Sequence, residues 1–446
     1  MKLAVIGNGY VGTTLAVCLA HFGHDIIGID IDKDKVDMLN NAKSPIYEPN
    51  LENMLKQALE SKRLHFSTKF SLIENSKAVF LAVGTPKGKD GRANLSYLFK
   101  ALDKVSPYIN QGTVLITKST VPVGTNRRIK EYVAEKGKDV EVISNPEFLR
   151  EGQAVKDFLQ PDRIVAGLSD KSLRPLMQEI YKPLVDKNVP ILFTNLESAE
   201  MIKYAANSYL ALSISYINEI SRLCEVCGAD INEISKGLKL DKRIGPHAFL
   251  NAGLGFGGSC FPKDVSALKN FAQDKGIKLN LLEHCLNTNE AQIELFARKI
   301  LAYYDKKNID SPTLAFLGLS FKPQSDDVRE SRAIKLANLL RKHNFTIKAH
   351  DPLALENAKP YLPDDAILEK DLDSLFKDSH GMVLATEWPI FQKLDFARIK
   401  KEMKHHAVFD GRNFYSPKQI KELGFDYLSI GRQPLLRENI TLFPQQ

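Results

Sequence analysis

Cysteine is scarce: Cys18, Cys224, Cys227, Cys260 and Cys285 are the only five in 446 residues. They are too few and too scattered for a disulfide framework, and a reducing compartment fits them best. No run approaches the ~18 uninterrupted apolar residues of a membrane span. The 61 basic and 54 acidic residues leave a formal charge of +7 that is not gathered into runs, so the clustered basic face of a nucleic-acid binder is missing. There is no short-period repeat. The opening Met1-Lys2-Leu3-Ala4-Val5-Ile6-Gly7 turns glycine-rich too early for a signal peptide. These absences point to a soluble cytoplasmic protein with neither nucleic acid nor membrane as partner.

What is present is a globular composition, 43% hydrophobic and 26% charged, on a chain long enough for two or three cores. Residues 2–6 form an apolar run, Gly7-Asn8-Gly9-Tyr10-Val11-Gly12 follows, residues 13–22 read as a helix, and residues 25–30 as a second strand ending in Asp30. Strand, glycine turn, helix, strand and terminal acid make a βαβ dinucleotide-binding unit. In it Gly7 permits the tight bend, Gly9 lets the backbone approach a pyrophosphate, and Gly12 allows close helix–strand contact. Asp30 is placed to accept from a ribose diol and repel a 2′-phosphate, favouring NAD over NADP, although Lys35 lies nearby.

Further strands are expected at 78–83, 114–117 and 140–144, each ending in a polar or turn-forming group. Strands alternating with helical stretches argue for a parallel sheet with helices on both faces, and ligands bind beyond the carboxyl ends of such strands. From about 195 to 305 the pattern is helical. Residues 197–227 hold neither Pro nor Gly and are apolar on more than one face, which suggests a buried spine or a subunit interface. A second sheet domain follows, with strands expected at 313–318, 346–351, 382–385 and 407–410 and a helix at 331–342, without a GxGxxG of its own.

Four glycines precede Cys260 in Gly253-Leu254-Gly255-Phe256-Gly257-Gly258-Ser259-Cys260-Phe261-Pro262-Lys263-Asp264. Such a loop exposes N–H groups to a ligand, Lys263 favours a thiolate, and Asp264 can serve as base or orienting partner. A thiolate beside a nicotinamide suggests oxidation of an aldehyde through a thiohemiacetal and a thioester. The other four cysteines read as buried small hydrophobes, and Cys224 and Cys227 have no second pair with which to build a zinc site; no metal is expected. Lys203 and Asn207 share a helix face and can stabilise an oxyanion, or else form a solvated helix edge. Glu147 and Glu151, also four apart, can hold water or a substrate hydroxyl, or form a surface pair.

GNGYVG, Ser119-Thr120-Val121-Pro122-Val123-Gly124-Thr125, Asn145-Pro146-Glu147-Phe148-Leu149-Arg150-Glu151-Gly152, GFGGSCFPKD and the stretch from Phe321-Lys322-Pro323 to Arg329-Glu330 together resemble the UDP-glucose/GDP-mannose dehydrogenase family. The matches run in order through nearly the whole chain. The resemblance implies an α/β protein with two Rossmann-like doubly wound sheet domains joined by a central helical domain on a long spine helix. The domains would be an NAD-binding one at 1–195, a helical dimerisation domain at 196–305 and a UDP-sugar-binding one at 306–446. It also implies a four-electron oxidation of a sugar C6 alcohol to a carboxylate with two NAD in turn, UDP-glucose being the substrate and GDP-mannose or another nucleotide-sugar, such as an N-acetylated UDP-sugar, the alternative. A non-catalytic NAD-binding regulator is the reading from another class; it would tolerate loss of Cys260, Lys203 or Asp264, and all three are present.

Carried over by motif, Cys260 would be the nucleophile and Lys203 the oxyanion partner. Asp264, Thr120 and Glu147 would manage the hydrolytic water, and Asn207 would bind near the reacting carbon. Gly7, Gly9, Tyr10, Val11, Gly12, Asp30, Lys35, Thr85, Thr120, Glu151, Lys263 and Arg329 resemble NAD contacts. Glu147, Phe148, Leu149, Arg150, Lys203, Asn207, Phe249, Leu250, Phe256, Gly257, Lys322 and Arg412 resemble substrate contacts. Arg243 would reach the substrate of a neighbouring subunit, so a homodimer or higher homo-oligomer is implied. Gly84-Thr85-Pro86-Lys87 departs from the family's more usual Thr-Pro-Thr run at the cofactor loop.

Overall fold

A computed structural model describes residues 1–438. The chain divides into two compact units: Met1–Ala206 with Asn270–Lys275, and Asn207–Lys269 with the chain from Gly276 onward.

The first unit is built on eight strands: β1 (Lys2–Ile6), β2 (Asp25–Ile29), β3 (Leu64–Ser67), β4 (Ala78–Leu81), β5 (Val114–Thr117), β6 (Glu141–Ser144), β7 (Ile164–Leu168) and β8 (Ile191–Thr194). They lie in the order β3-β2-β1-β4-β5-β6-β7-β8, the arrangement of a doubly wound sheet that binds ligands where the strand order reverses. β1 shows why the strands read as unbroken apolar runs. Leu3 and Val5 enter the core on one face, Ala4 and Ile6 that on the other, so both faces are buried and no polar alternation remains. One pair departs from the all-parallel expectation: β6 and β7 run antiparallel, with Ile143 opposite Leu168. Between them stands only the six-residue helix Ala154–Leu159, in place of a full crossover helix.

The spine helix, Leu196–Cys227, has 32 residues and spans roughly 48 Å at 1.5 Å per residue. It starts where the Asn195 side chain accepts from the Ser198 amide and ends at Gly228, whose φ is +78°. There the Gly228 and Ala229 amides both return to the Cys224 carbonyl, a glycine stop that satisfies the last turn. Cys227 corrects one expectation: being the final helical residue it is exposed, whereas Cys18, Cys224 and Cys285 are buried as expected.

The second unit holds a wholly parallel sheet of β9 (Thr313–Leu317), β10 (Thr346–His350), β11 (Ile367–Leu368), β12 (Gly381–Leu384), β13 (Ala407–Asp410) and β14 (Asp426–Ser429), in the order β11-β10-β9-β12-β13-β14. Its first turn shows why it needs no glycine fingerprint. Asp351, just past β10, accepts from the amides of Leu319 and Ser320, so the protein's own carboxylate fills the amides of the turn after β9. Among the described residues no helix is long and apolar enough to cross a membrane, and no group of three or more His, Cys, Asp and Glu could hold a metal ion.

Candidate active site

In the first unit, β1 delivers the chain into the glycine turn. Gly7 has φ +88°, and a Cβ on Gly12 would lie 1.8 Å from the Gly7 carbonyl oxygen, so no side chain fits there. A Cβ on Gly9 would meet nothing within 4 Å; the open space is where a ligand backbone can come close. The helix Tyr10–His21 begins with no side-chain cap, which leaves its first amides for an anion. Asp30 is held by the Asn8 amide at 2.7 Å and the Asp32 amide at 3.1 Å, with the Lys35 ammonium at 3.3 Å. The buried Asn8 side-chain amide has no hydrogen-bond partner among the described residues. Uncapped amides, open space at Gly9 and a fixed carboxylate fit a dinucleotide.

Around this turn, Thr85 donates to the Thr120 carbonyl at 2.8 Å, which ties together the loops after β4 and β5. The Tyr10 hydroxyl donates to Glu48 and accepts from the Gly152 amide at 2.7 Å, bracing the loop that carries Glu151. Burial and the Glu48 carboxylate push the Tyr10 phenol well above its usual range. Val11 lies half-buried on the helix's first turn.

Beyond the ends of β5 and β6 sits a buried charge cluster. Lys203, on the spine helix, donates to Glu147 at 2.9 Å, and the two side chains are only 5% and 8% exposed. The other Glu147 oxygen accepts from the Leu149 amide. Burial alone would raise the Glu147 carboxyl, yet Lys203, that amide and Lys118 hold it below the ordinary value. Phe148 lies against the pair, its ring centroid 5.3 Å from the Lys203 nitrogen and 3.9 Å from the Arg163 guanidinium. Leu149 is half-buried, and Arg150 reaches outward to pair with Asp157. The solvated-edge reading of Lys203 is thus set aside, and Glu147 is no surface group.

Lys118 was missed in the sequence. It follows directly on β5, is 6% exposed, and donates to the Asn145 side-chain oxygen at 3.0 Å. The Tyr181 hydroxyl donates to the same oxygen at 2.6 Å. Burial lowers the Lys118 amine to about 7 against the pull of Glu147, and Lys203 adds repulsion. A lysine closing a strand that is apolar on both faces was the available signal.

The second unit carries the thiol. Cys260 immediately precedes the helix Phe261–Asp274, and its carbonyl accepts from the Asp264 amide at 2.8 Å. A sulfur at a helix N-terminus meets unpaired amides and positive potential, which favour a thiolate. Ser259 Oγ stands 3.5 Å from the sulfur. Asp264 is 1% exposed; one oxygen accepts from Lys263 at 2.5 Å and the other from the Asn207 amide at 2.6 Å. Carboxylate, amide and ammonium are therefore brought into one cluster, one helical turn along the chain from Cys260. The glycines before the thiol allow close backbone approach: a Cβ on Gly257 would lie 2.3 Å from the Glu330 carbonyl oxygen.

The remaining candidates of this unit divide by environment. Phe256 and Leu250 are buried and Phe249 is 39% exposed, with Phe249 and Phe256 both edge-on to Phe261. Arg412 forms a two-bonded pair with Glu387, both contacts 2.6 Å. Lys322 is half-buried beside the Phe321 ring. Arg329 turns back to Asp327 and Arg243 to Asp241, both arginines being largely exposed.

Three family models match in chain order. They are the NAD binding domain of the UDP-glucose/GDP-mannose dehydrogenase family at 1–185, its central domain at 197–291 and its UDP binding domain at 315–417. The chain belongs to the UDP-glucose/GDP-mannose dehydrogenase family. It is a dehydrogenase with an NAD-binding first domain. It is 42% identical over 436 residues to a UDP-glucose 6-dehydrogenase of Rickettsia bellii, covering 97% of this chain and 99% of that one. A UDP-glucose dehydrogenase structure from Pyrobaculum islandicum matches with TM-score 0.87 at 38% identity, over 96% of both chains. A UDP-D-ManNAc dehydrogenase from Pyrococcus horikoshii matches nearly as well, TM-score 0.86, at 26% identity over 97% of this chain and 99% of that one. The fold is thus shared with a dehydrogenase named for a different sugar nucleotide.

Proposed function

We propose that this dehydrogenase oxidises UDP-glucose at C6 to UDP-glucuronate, consuming two NAD and one water and releasing two NADH and three protons. Near-40% identity to UDP-glucose enzymes, against 26% to the N-acetylmannosamine enzyme, supports that substrate. The observation that carries the chemistry is Asp264, buried and bound by Asn207 and Lys263 one helical turn from Cys260. Gly7, Gly9, Gly12 and Asp30 would hold NAD, which would supply the hydride acceptor for each oxidation.

The residues then have distinct tasks. As C6 gives up a hydride and its hydroxyl proton passes to solvent water, the Lys203 ammonium, paired with Glu147, faces the developing negative oxygen. The Cys260 thiolate adds to the aldehyde carbon and forms a thiohemiacetal, so no free aldehyde escapes. The second oxidation leaves a thioester on Cys260. Asp264 positions the water that attacks it; the C–S bond breaks, the carboxylate leaves and the thiolate is restored. Asn207 donates to the reacting end of the sugar. Arg412, Lys322, Phe249, Leu250, Phe256 and Gly257 would contact the sugar nucleotide.

A homodimer through the spine helix belongs to the same reading. Tyr209, Tyr216 and Leu223 recur every seven residues on that helix and are 68%, 49% and 62% exposed, an apolar stripe suited to a second copy. In such an assembly the exposed Arg243 has a neighbouring subunit's substrate within its role.

The test is the covalent step. Asp264→Asn, incubated with UDP-glucose and NAD and quenched in acid, should carry a uronyl nucleotide on the peptide containing Cys260, seen by mass spectrometry. Absence of any adduct in a variant that still turns over slowly would remove the thioester route.

A further inference from the structure

We propose that Lys118 is a positioning residue of the oxidation: from behind the Asn145-Pro146-Glu147 turn its ammonium keeps Glu147 ionised and paired to Lys203 as the solution turns acidic. The inference rests on the roles given above to Glu147 and Lys203. Its grounds are geometric. Lys118 is buried at the end of β5, bonded to Asn145 two residues before Glu147, and close enough to both Glu147 and Lys203 for charge to be felt. Asn145 itself is pinned by donating to the Val165 carbonyl at 2.7 Å, so the turn has a fixed base on which that charge acts.

The other groups facing Lys118 are uncharged. Tyr181, whose hydroxyl is 3.5 Å from the amine and whose ring lies beneath it, has its phenol raised by burial. Cys18, within reach of Tyr181, is a buried thiol raised in the same way. The cluster therefore reduces to Lys118, Glu147 and Lys203. With the Lys118 amine at about 7, the second cation is present below neutrality and absent above it.

Lys118→Met and Lys118→Gln remove the charge at similar length. Wild type and variants are compared in NADH formation from UDP-glucose between pH 5 and 9. Above pH 8, where Lys118 is already neutral, turnover should stay within about threefold of wild type. Toward pH 5 the deficit should grow, the acid limb moving up by about one unit. The KM for NAD should not follow it. A variant-to-wild-type ratio that is flat with pH would make Lys118 merely structural and overturn the proposal, as would failure of both variants to fold. Glu147→Gln separates the two readings. If it matches wild type, the role of Glu147 fails; if it is impaired while the Lys118 ratio is flat, only the Lys118 proposal fails.

Discussion

Replacing Lys203 by Met keeps its stem and removes its charge from the pair with Glu147. Both side chains are under a tenth exposed, so solvent screens little of the loss. Breaking such a pair leaves a buried carboxylate, which typically costs about 3–5 kcal/mol. Lys118 softens the blow, because losing the repulsion of Lys203 lets its amine hold a proton more readily. We therefore expect the lower end, about 3 kcal/mol, or a fall of ~6–12 °C in melting temperature for a unit of roughly 200 residues.

The pH dependence has a definite sign. The folded Glu147 carboxyl lies below its ordinary value. Its contribution is present above the unfolded value and fades as pH falls through the folded one. The stability gap between wild type and Lys203→Met should accordingly be widest near neutrality and narrow in acid. Calorimetry at several pH values reads this directly. In parallel, kcat should fall by about 10²–10³ through loss of the cation facing the oxyanion. A gap under about 0.5 kcal/mol, or one that widens in acid, would refute the buried-pair reasoning.

Three further expectations follow from the same geometry. Cys260→Ala should form no uronic acid while titrating with NAD as wild type does, monitored by product chromatography and calorimetric binding. Asp30→Ala should weaken NAD more than NADP, since the carboxylate fixed by the Asn8 amide is lost; an unchanged NAD-to-NADP ratio in kcat/KM would place the diol contact elsewhere. Leu223→Glu should convert a dimer to monomers in light scattering, because the stripe it shares with Tyr209 and Tyr216 would then carry a buried charge; an unaltered mass would remove the spine helix from the interface.

Much of the fold was legible because its signals are local. The glycine turn, the strand-ending Asp30 and the uninterrupted spine lie within short windows, and β5 and β13 fall where the apolar runs place them. What escaped depends on partners distant in sequence. The antiparallel β7 reads as another apolar run, since strand direction leaves no mark on a segment buried on both faces. β8 and β11 are short and only partly buried, and they lack the run that marks the inner strands.

The site divides in the same way. Cys260 and Asp264 sit in one glycine-rich segment, so their pairing could be read. The charge of the buried Lys203 is matched by Glu147, 56 residues earlier. Lys118 was hidden for the converse reason: a strand-terminal lysine is usually exposed, and only the packing of Tyr181 and Asn145 encloses it.

The central claim is that one chain carries a sugar alcohol through two oxidations, the second on Cys260. With limiting UDP-glucose and excess NAD, the absorbance of NADH counts the hydrides released per sugar. The account predicts about two per UDP-glucose, with the uronic acid as sole product. About one, with aldehyde accumulating, would contradict the thioester route. None, with NADH appearing from GDP-mannose or an N-acetylated UDP-sugar instead, would contradict the substrate.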